Sequence, residues 1–269
     1  MTADTARFVG DIPLHYDRGL GPVIFEDYAA DIAWRAALRG PREVLEIAAG
    51  TGIVTRKLRD ALPADARLIA TDLNAPMLEV AQAKFRPGEG VTFDVADALV
   101  LPFADSAFDA VVCQFGLMFF PDKDAAHREA RRVLKAGGRY LFSVWDSPRH
   151  NPFSRLGLEV VERFFPDNPP QFLKTPFSCP EIDPIKESLI GAGFTRIVAS
   201  VLPRVHETGD VTAFANGLVF GSPLIDQIRA RGDVAPEAIV AALVERFEQE
   251  FGAPTRMPMQ AIFFEAERA

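Results

Sequence analysis

The chain has 269 residues, 48% of them hydrophobic and 25% charged, which suffices for one continuous core, and a single elaborated domain over residues 1–269 is expected. Its 37 Asp and Glu outnumber 29 Lys and Arg, a formal net charge of -8 that repels polyphosphate backbones, so no nucleic-acid partner is expected. The two cysteines, Cys113 and Cys179, lack metal-type spacing, which argues against a disulfide or zinc framework and fits a reducing, cytoplasmic setting.

The first residues, MTADTARFVGDIP, carry acids and no apolar stretch before a small-residue cleavage site, so no secretory signal is expected. The longest apolar stretch, Ala110 to Phe120, is shorter than the ~20 residues that span a bilayer, so no stable membrane insertion is expected. Val44 to Ile47 reads as a strand and Ile53 to Leu62 as a helix ended by Pro63. Arg67 to Thr71 is a second strand, and Asn74 caps a helix from Ala75 to Lys84 with Pro76 in its first turn. Val91 to Val95 and Asp109 to Phe115 are two more strands, the latter apolar on both faces as a strand covered on both sides must be. Asp122 caps the helix AAHREARRVLK, Gly137-Gly138 ends it, and Arg139 to Asp146 is a fifth strand. Strands alternating with helices through short connections imply parallel pairing and a doubly wound, Rossmann-like α/β sheet, with a ligand-binding core over residues 42–146.

The second half changes character. Asn151 to Phe165 reads as a helix, the proline-dense 166–180 as a loop, and Asp183 as the cap of a helix running to Gly191 with Pro184 at its first position. Phe194 to Leu202 and Met257 to Ala266 are late strands, with two helical stretches between His206 and Gly252. Segments 147–180 and 203–256 read as insertions that cap the sheet edge together with residues 1–38.

In an open parallel sheet, ligands bind beyond the carboxyl ends of the strands where the winding reverses. The turn Gly50-Thr51-Gly52 sits there, and glycine lets backbone approach a ligand, although a plain strand-to-helix turn also favours small residues. Asp72 ends the second strand, placed either to accept hydrogen bonds from ribose hydroxyls or to serve as a helix N-terminal acid. Asp97 ends the third, placed either to accept from an exocyclic amine beside the Ala98 N–H or to bond its own turn. Three strand ends in register favour an adenosine-containing cofactor. A dinucleotide site wants a third glycine where Thr55 stands, and Glu46 just before the turn opposes a pyrophosphate but suits a cation, as in S-adenosylmethionine.

The segments VLEIAAGTG, ATDLNAPML and the run from DALVLPF to SVWD resemble the class I S-adenosylmethionine-dependent methyltransferases, in particular the branch with the ubiquinone and menaquinone biosynthesis C-methyltransferases. The resemblance covers residues 42–146 and implies a seven-stranded sheet whose last strand is antiparallel. It implies that Gly50, Thr51 and Gly52, with Glu46 and Ala48 of the same turn, cradle the methionine part and that Asp72 holds the ribose. Leu73 and Met77 would then flank the adenine, Asp97 and Ala98 recognise its edge, and Gln114 with Phe115 line the reacting end. Ala48 departs from the family's glycine, and a β or right-handed helical backbone is expected there.

Methyl transfer from a sulfonium needs alignment and exclusion of water more than a base. His150, in WDSPRHNPF, is the candidate base or positioner, against a surface loop histidine. Tyr16 is the candidate cation–π partner of the sulfonium, against simple packing on a helix from Phe25 to Leu38. Phe153, Phe164, Phe165, Phe172, Phe177, Phe214 and Phe220 suit either a pocket for an apolar or aromatic small molecule or ordinary packing. Two rivals remain, an NAD(P)-dependent oxidoreductase on a related fold and an S-adenosylmethionine-binding protein without turnover. The residues leave the oligomeric state open.

Overall fold

The computed structural model describes residues 6–232 and 234–269. Residues 1–5, where the reading of the N-terminus and the 1–38 segment begin, lie outside the described residues, as does Asp233 in the 203–256 segment.

Seven strands form one sheet: β1 (Glu43–Ile47), β2 (Arg67–Asp72), β3 (Val91–Val95), β4 (Phe108–Gln114), β5 (Leu134–Trp145), β6 (Phe194–Thr208) and β7 (Thr255–Arg268), in the spatial order β3-β2-β1-β4-β5-β7-β6. Strands β1 to β5 pair in parallel, whereas β7 runs antiparallel between β5 and β6. The chain therefore winds one way from β1 through β2 to β3 and the other way from β4, which opens a crevice at the carboxyl ends of β1 and β4. Between the strands run α3 (Ile53–Ala61), α4 (Ala75–Gln82) and α5 (Lys123–Val133). Asp122 caps α5, its side chain accepting from Ala125 N at 2.8 Å. That helix ends two residues before the expected Lys135, because Leu134 already pairs with Phe108 in the sheet.

The N-terminal segment holds α1 (Ile12–His15), a π-helix over Tyr16–Phe25 and α2 (Glu26–Ala37). The π-helix contains Gly19, Gly21 and Pro22. Gly19 meets α8 (Val211–Phe220) so closely that a Cβ on it would lie 2.6 Å from Ala213 O and from the Cα of Gly217. These facing glycines let the N-terminal segment lie flat on the cap.

The cap consists of α6 (Pro152–Phe164), a 3₁₀ helix over Phe172–Phe177 inside the expected loop, α7 (Ile182–Gly191), α8, α9 (Leu224–Arg229) and α10 (Pro236–Phe251). The rings of Phe153, Phe214 and Phe247 follow one another through it, the first pair T-shaped at 5.7 Å and the second tilted at 5.6 Å between centroids. Three readings change here. Helix α7 begins one residue after Glu181, with Asp183 and Pro184 inside its first turn. Among the described residues, three helices, not two, lie between β6 and β7. Strand β6 continues past Leu202 to Thr208, pairing with β7 throughout. Pro203 lies within this extension because β6 is the sheet's edge, where a residue without an N–H is tolerated. Among the described residues, no helix is long and apolar enough to cross a membrane.

Candidate functional site

A cavity of about 330 Å³ lies beyond the carboxyl ends of β1, β2, β4 and β5, walled by the N-terminal segment on one side and the cap on another. Tyr16, Ala48, Gly50, Asp72, Leu73, Met77, Asp97, Ala98, Gln114 and Phe115 all line it. Glu46, Thr51 and Gly52 do not. Glu46 and Thr51 are buried behind the wall, 2% and 1% exposed, while Gly52 faces α4, where a Cβ would lie 2.8 Å from that of Ala81.

Asp72 ties the two strand ends together. Its Oδ2 accepts from Gly50 N at 2.9 Å, and its Oδ1 accepts from Asn74 N at 2.9 Å and from Asn74 Nδ2 at 3.2 Å. Burial raises its pKa, against the pull of these hydrogen bonds. Asn74 in turn accepts from Phe8 N at 3.1 Å, so the residue read as a helix cap also pins the N-terminal segment over the crevice. Asp97 Oδ1 accepts from Leu99 N at 2.9 Å, closing its own turn.

Ala48 is a correction. Its φ of +54° lies in the left-handed region, not the expected β or right-handed helical one, and Phe115 shares this conformation at +53°. A left-handed backbone costs an L-residue about 1–2 kcal/mol relative to glycine. Ala48→Gly is therefore expected to raise stability by about 1 kcal/mol, read as a higher melting temperature, with Ala48→Val lower than wild type; the reverse order would show that the backbone there is unstrained.

Glu46 is the second unusual acid. Burial first, and then the charge of the neighbouring Asp72, push its carboxyl up to about 8. Its Oε2 has no hydrogen-bond partner in the protein, nor have Thr51 Oγ1, Thr55 Oγ1 and Gln114 Oε1. No lysine, arginine or histidine among the described residues lines the cavity. Cavity-lining carboxylates, Asp72 and Asp97, without a cationic neighbour in the wall fit a cation and disfavour a pyrophosphate.

Tyr16 sits between the N-terminal helices and the cavity. Its ring stacks on Phe25 at 5.0 Å between centroids and also lines the cavity. Burial, then the charges of Asp72 and Asp17, raise its pKa far above the ordinary value, so the phenol keeps its proton. His150 does not line this cavity; it is exposed and lies on a separate shallow depression with Arg149, Arg204 and Gln260. Of the cap phenylalanines, Phe153, Phe172 and Phe177 line the cavity; Phe164, Phe165, Phe214 and Phe220 do not.

Sequence reasoning missed Phe8, Asn74, Gly116 and Trp145, all in the wall. Trp145 stacks face to face on Phe115 at 4.0 Å and 4°. Gly116 carried a signal: a Cβ there would lie 2.6 Å from the Cβ of Ala48, so only glycine passes the turn.

A methyltransferase domain family matches residues 44–138, the segment that carries the turn and the strand-end acids. The chain is 36% identical over 146 residues to a demethylmenaquinone methyltransferase of Thermus thermophilus, covering 52% of this chain and 66% of the relative. It is 38% identical over 129 residues to a ubiquinone/menaquinone biosynthesis C-methyltransferase of Hahella chejuensis, spanning about half of each protein, 47% and 51%. With the Pseudomonas aeruginosa enzyme of that name it shares 30% identity over 196 residues, 68% of this chain and 75% of the relative. In fold it is similar to the Haemonchus contortus phosphoethanolamine N-methyltransferase 2 solved with S-adenosyl-L-methionine, at TM-score 0.59 and 19% identity over 95% of this chain and 56% of that one. It is also similar to the [4+2]-cyclase SpnF, at TM-score 0.53 and 20% identity over 91% and 81% of the two chains, which shows that this architecture does not by itself set the chemistry. Sequence family, sheet order and the strand-end acids agree: the chain belongs to the class I S-adenosylmethionine-dependent methyltransferases.

Proposed function

We propose that the protein methylates an uncharged, apolar small-molecule acceptor, with an aromatic ring carbon or ring hydroxyl as the receiving atom. One observation carries this reading. A single cavity joins the strand-end acids to a wall of cap phenylalanines and contains no cationic or imidazole side chain among the described residues. S-adenosylmethionine, the cofactor of this family, supplies a methyl group activated by a sulfonium. The residues of this chain bind and orient. Asp72 accepts from the ribose hydroxyls, Leu73 and Met77 cover the adenine, and the Asp97–Ala98 turn meets its edge. Gly50 of the glycine turn meets the ammonium end, with Glu46 and Thr51 buried behind the wall there, and Ala48 and Phe115 shape the wall beside it. Tyr16 presents a neutral ring, and Phe25, Phe115 and Trp145 keep water from the reacting face. The described residues of segments 6–38, 147–180 and 209–254 form the cover over the 42–146 core.

Among the described residues, those the cap contributes to the cavity are apolar or serine, so the acceptor must bring its own acidity, as a phenol or hydroquinone does. The quinone-biosynthesis relatives direct the first trials to such rings. Incubation with methyl-labelled S-adenosylmethionine and a panel of hydroquinones, phenols and fatty acids is expected to label the first two and not the carboxylates. Micromolar binding of NAD or NADP with none of S-adenosylmethionine would favour the oxidoreductase, and cofactor binding without transfer to any ring would leave a binding protein.

A further inference from the structure

The acceptor half of the cavity offers almost no free polar atom. Two serines reach it from the cap, and both hydroxyls are committed: Ser154 Oγ donates to Asn151 O at 2.8 Å, and Ser222 Oγ donates to Leu218 O at 2.9 Å and accepts from Leu224 N at 3.3 Å. Tyr16 holds its proton. The carboxylates at the strand ends, Asp72 and Asp97, are engaged with the backbone of their own turns and make the cavity hostile to a second anion.

Gln114 differs from all of these. It is the last residue of β4, at the point where the sheet winding reverses, and its side chain lines the cavity. Its Nε2 donates to the Phe25 carbonyl at 3.3 Å, which fixes the amide's orientation against the N-terminal segment. Its Oε1 is buried and has no partner in the protein. A buried amide oxygen left unpaired is costly, so a site that presents one to a ligand discriminates strongly for a donor.

We propose that Gln114 is the specificity residue for the acceptor: its Oε1 accepts a hydrogen bond from a hydroxyl or N–H on an otherwise apolar ring. This rests on the methyltransferase reading and deepens it. The anchor selects ring alcohols over their ethers, and the strand-end carboxylates reject ring acids. Because Nε2 is held by the lid-forming segment, the same side chain also ties acceptor recognition to the placement of Phe25 over the site.

Three ring probes of one size test this by calorimetric titration into the full chain with saturating S-adenosylhomocysteine: 2-naphthol, 2-methoxynaphthalene and 2-naphthoate. Wild type is expected to bind the naphthol about tenfold or more tighter than the ether, and the naphthoate not measurably. Gln114→Met, which keeps the length and removes the oxygen, is expected to bind naphthol and ether alike. Equal affinities for the two in wild type, or a preference that survives in Gln114→Met, would overturn the anchor. A variant that loses S-adenosylhomocysteine affinity but keeps the naphthol preference would overturn it too, by assigning Oε1 to the nucleoside. Wild type that fails to bind S-adenosylhomocysteine at all would overturn the methyltransferase reading along with the anchor, whereas the other results leave that reading standing.

Discussion

Replacing Asp72 with alanine is expected to weaken S-adenosylmethionine binding by about 10- to 100-fold, because hydrogen bonds to a charged group contribute about 1.5–3 kcal/mol and each 1.4 kcal/mol is tenfold. The effect has two sources. Asp72 is the carboxylate proposed to accept from the ribose, and it also holds Gly50 N and Asn74 N at 2.9 Å, fixing the turn and the loop on either side of the crevice. Adenosine analogues separate them. If the carboxylate touches the ribose, wild type prefers adenosine to its 2′- or 3′-deoxy forms and Asp72→Ala loses that preference. If its role is only to brace the two strand ends, the variant binds every analogue more weakly by one factor. Unchanged affinity in Asp72→Ala would place the ribose elsewhere.

Glu46→Gln is expected to stabilise the protein, and more so as the pH rises. The carboxyl titrates near 8 in the folded chain against 4.5 as its ordinary value. A raised folded pKa contributes stability that is fully present below about 4.5 and lost as the pH climbs through about 8, because the unfolded chain ionises first. The loss over this window is roughly 5 kcal/mol at 1.36 kcal/mol per unit, and glutamine removes it. The melting temperatures of wild type and variant are therefore expected to coincide near pH 4.5 and to diverge by pH 8, the variant higher. Cofactor affinity moves the other way. A cation beside Glu46 favours its ionised form, so wild type gains affinity relative to Glu46→Gln between pH 6 and 8.5. A melting-temperature gap that does not change with pH would mean that Glu46 ionises normally.

The core was legible because its physics is local. In residues 42–146, short apolar runs, a capping aspartate and glycine turns define strands and helices one by one, and right-handed crossovers then leave little freedom for their order. The strand ends followed from the same logic, and Tyr16, Gly50, Asp72, Asp97 and Gln114 meet around one cavity. What escaped was set by distant partners. The length of β6 depends on its lying at an edge beside β7, which makes Pro203 harmless. The π-helix from Tyr16 to Phe25 depends on Gly19 meeting Gly217, some 200 residues away in the chain. Ala48 adopts a left-handed backbone because the turn over Asp72 demands it, against the residue's own preference. His150 was read from nearness in sequence to the end of β5, but it lines a separate depression with residues of β6 and β7.

A crystal of the protein soaked with S-adenosylhomocysteine is the most direct test of the cofactor crevice. The expected density lies beside Gly50, with the ribose against Asp72, the purine between Leu73 and Met77, and its edge at Asp97 and Ala98. A nucleoside bound elsewhere, or a crevice that takes up a dinucleotide pyrophosphate instead, would contradict it.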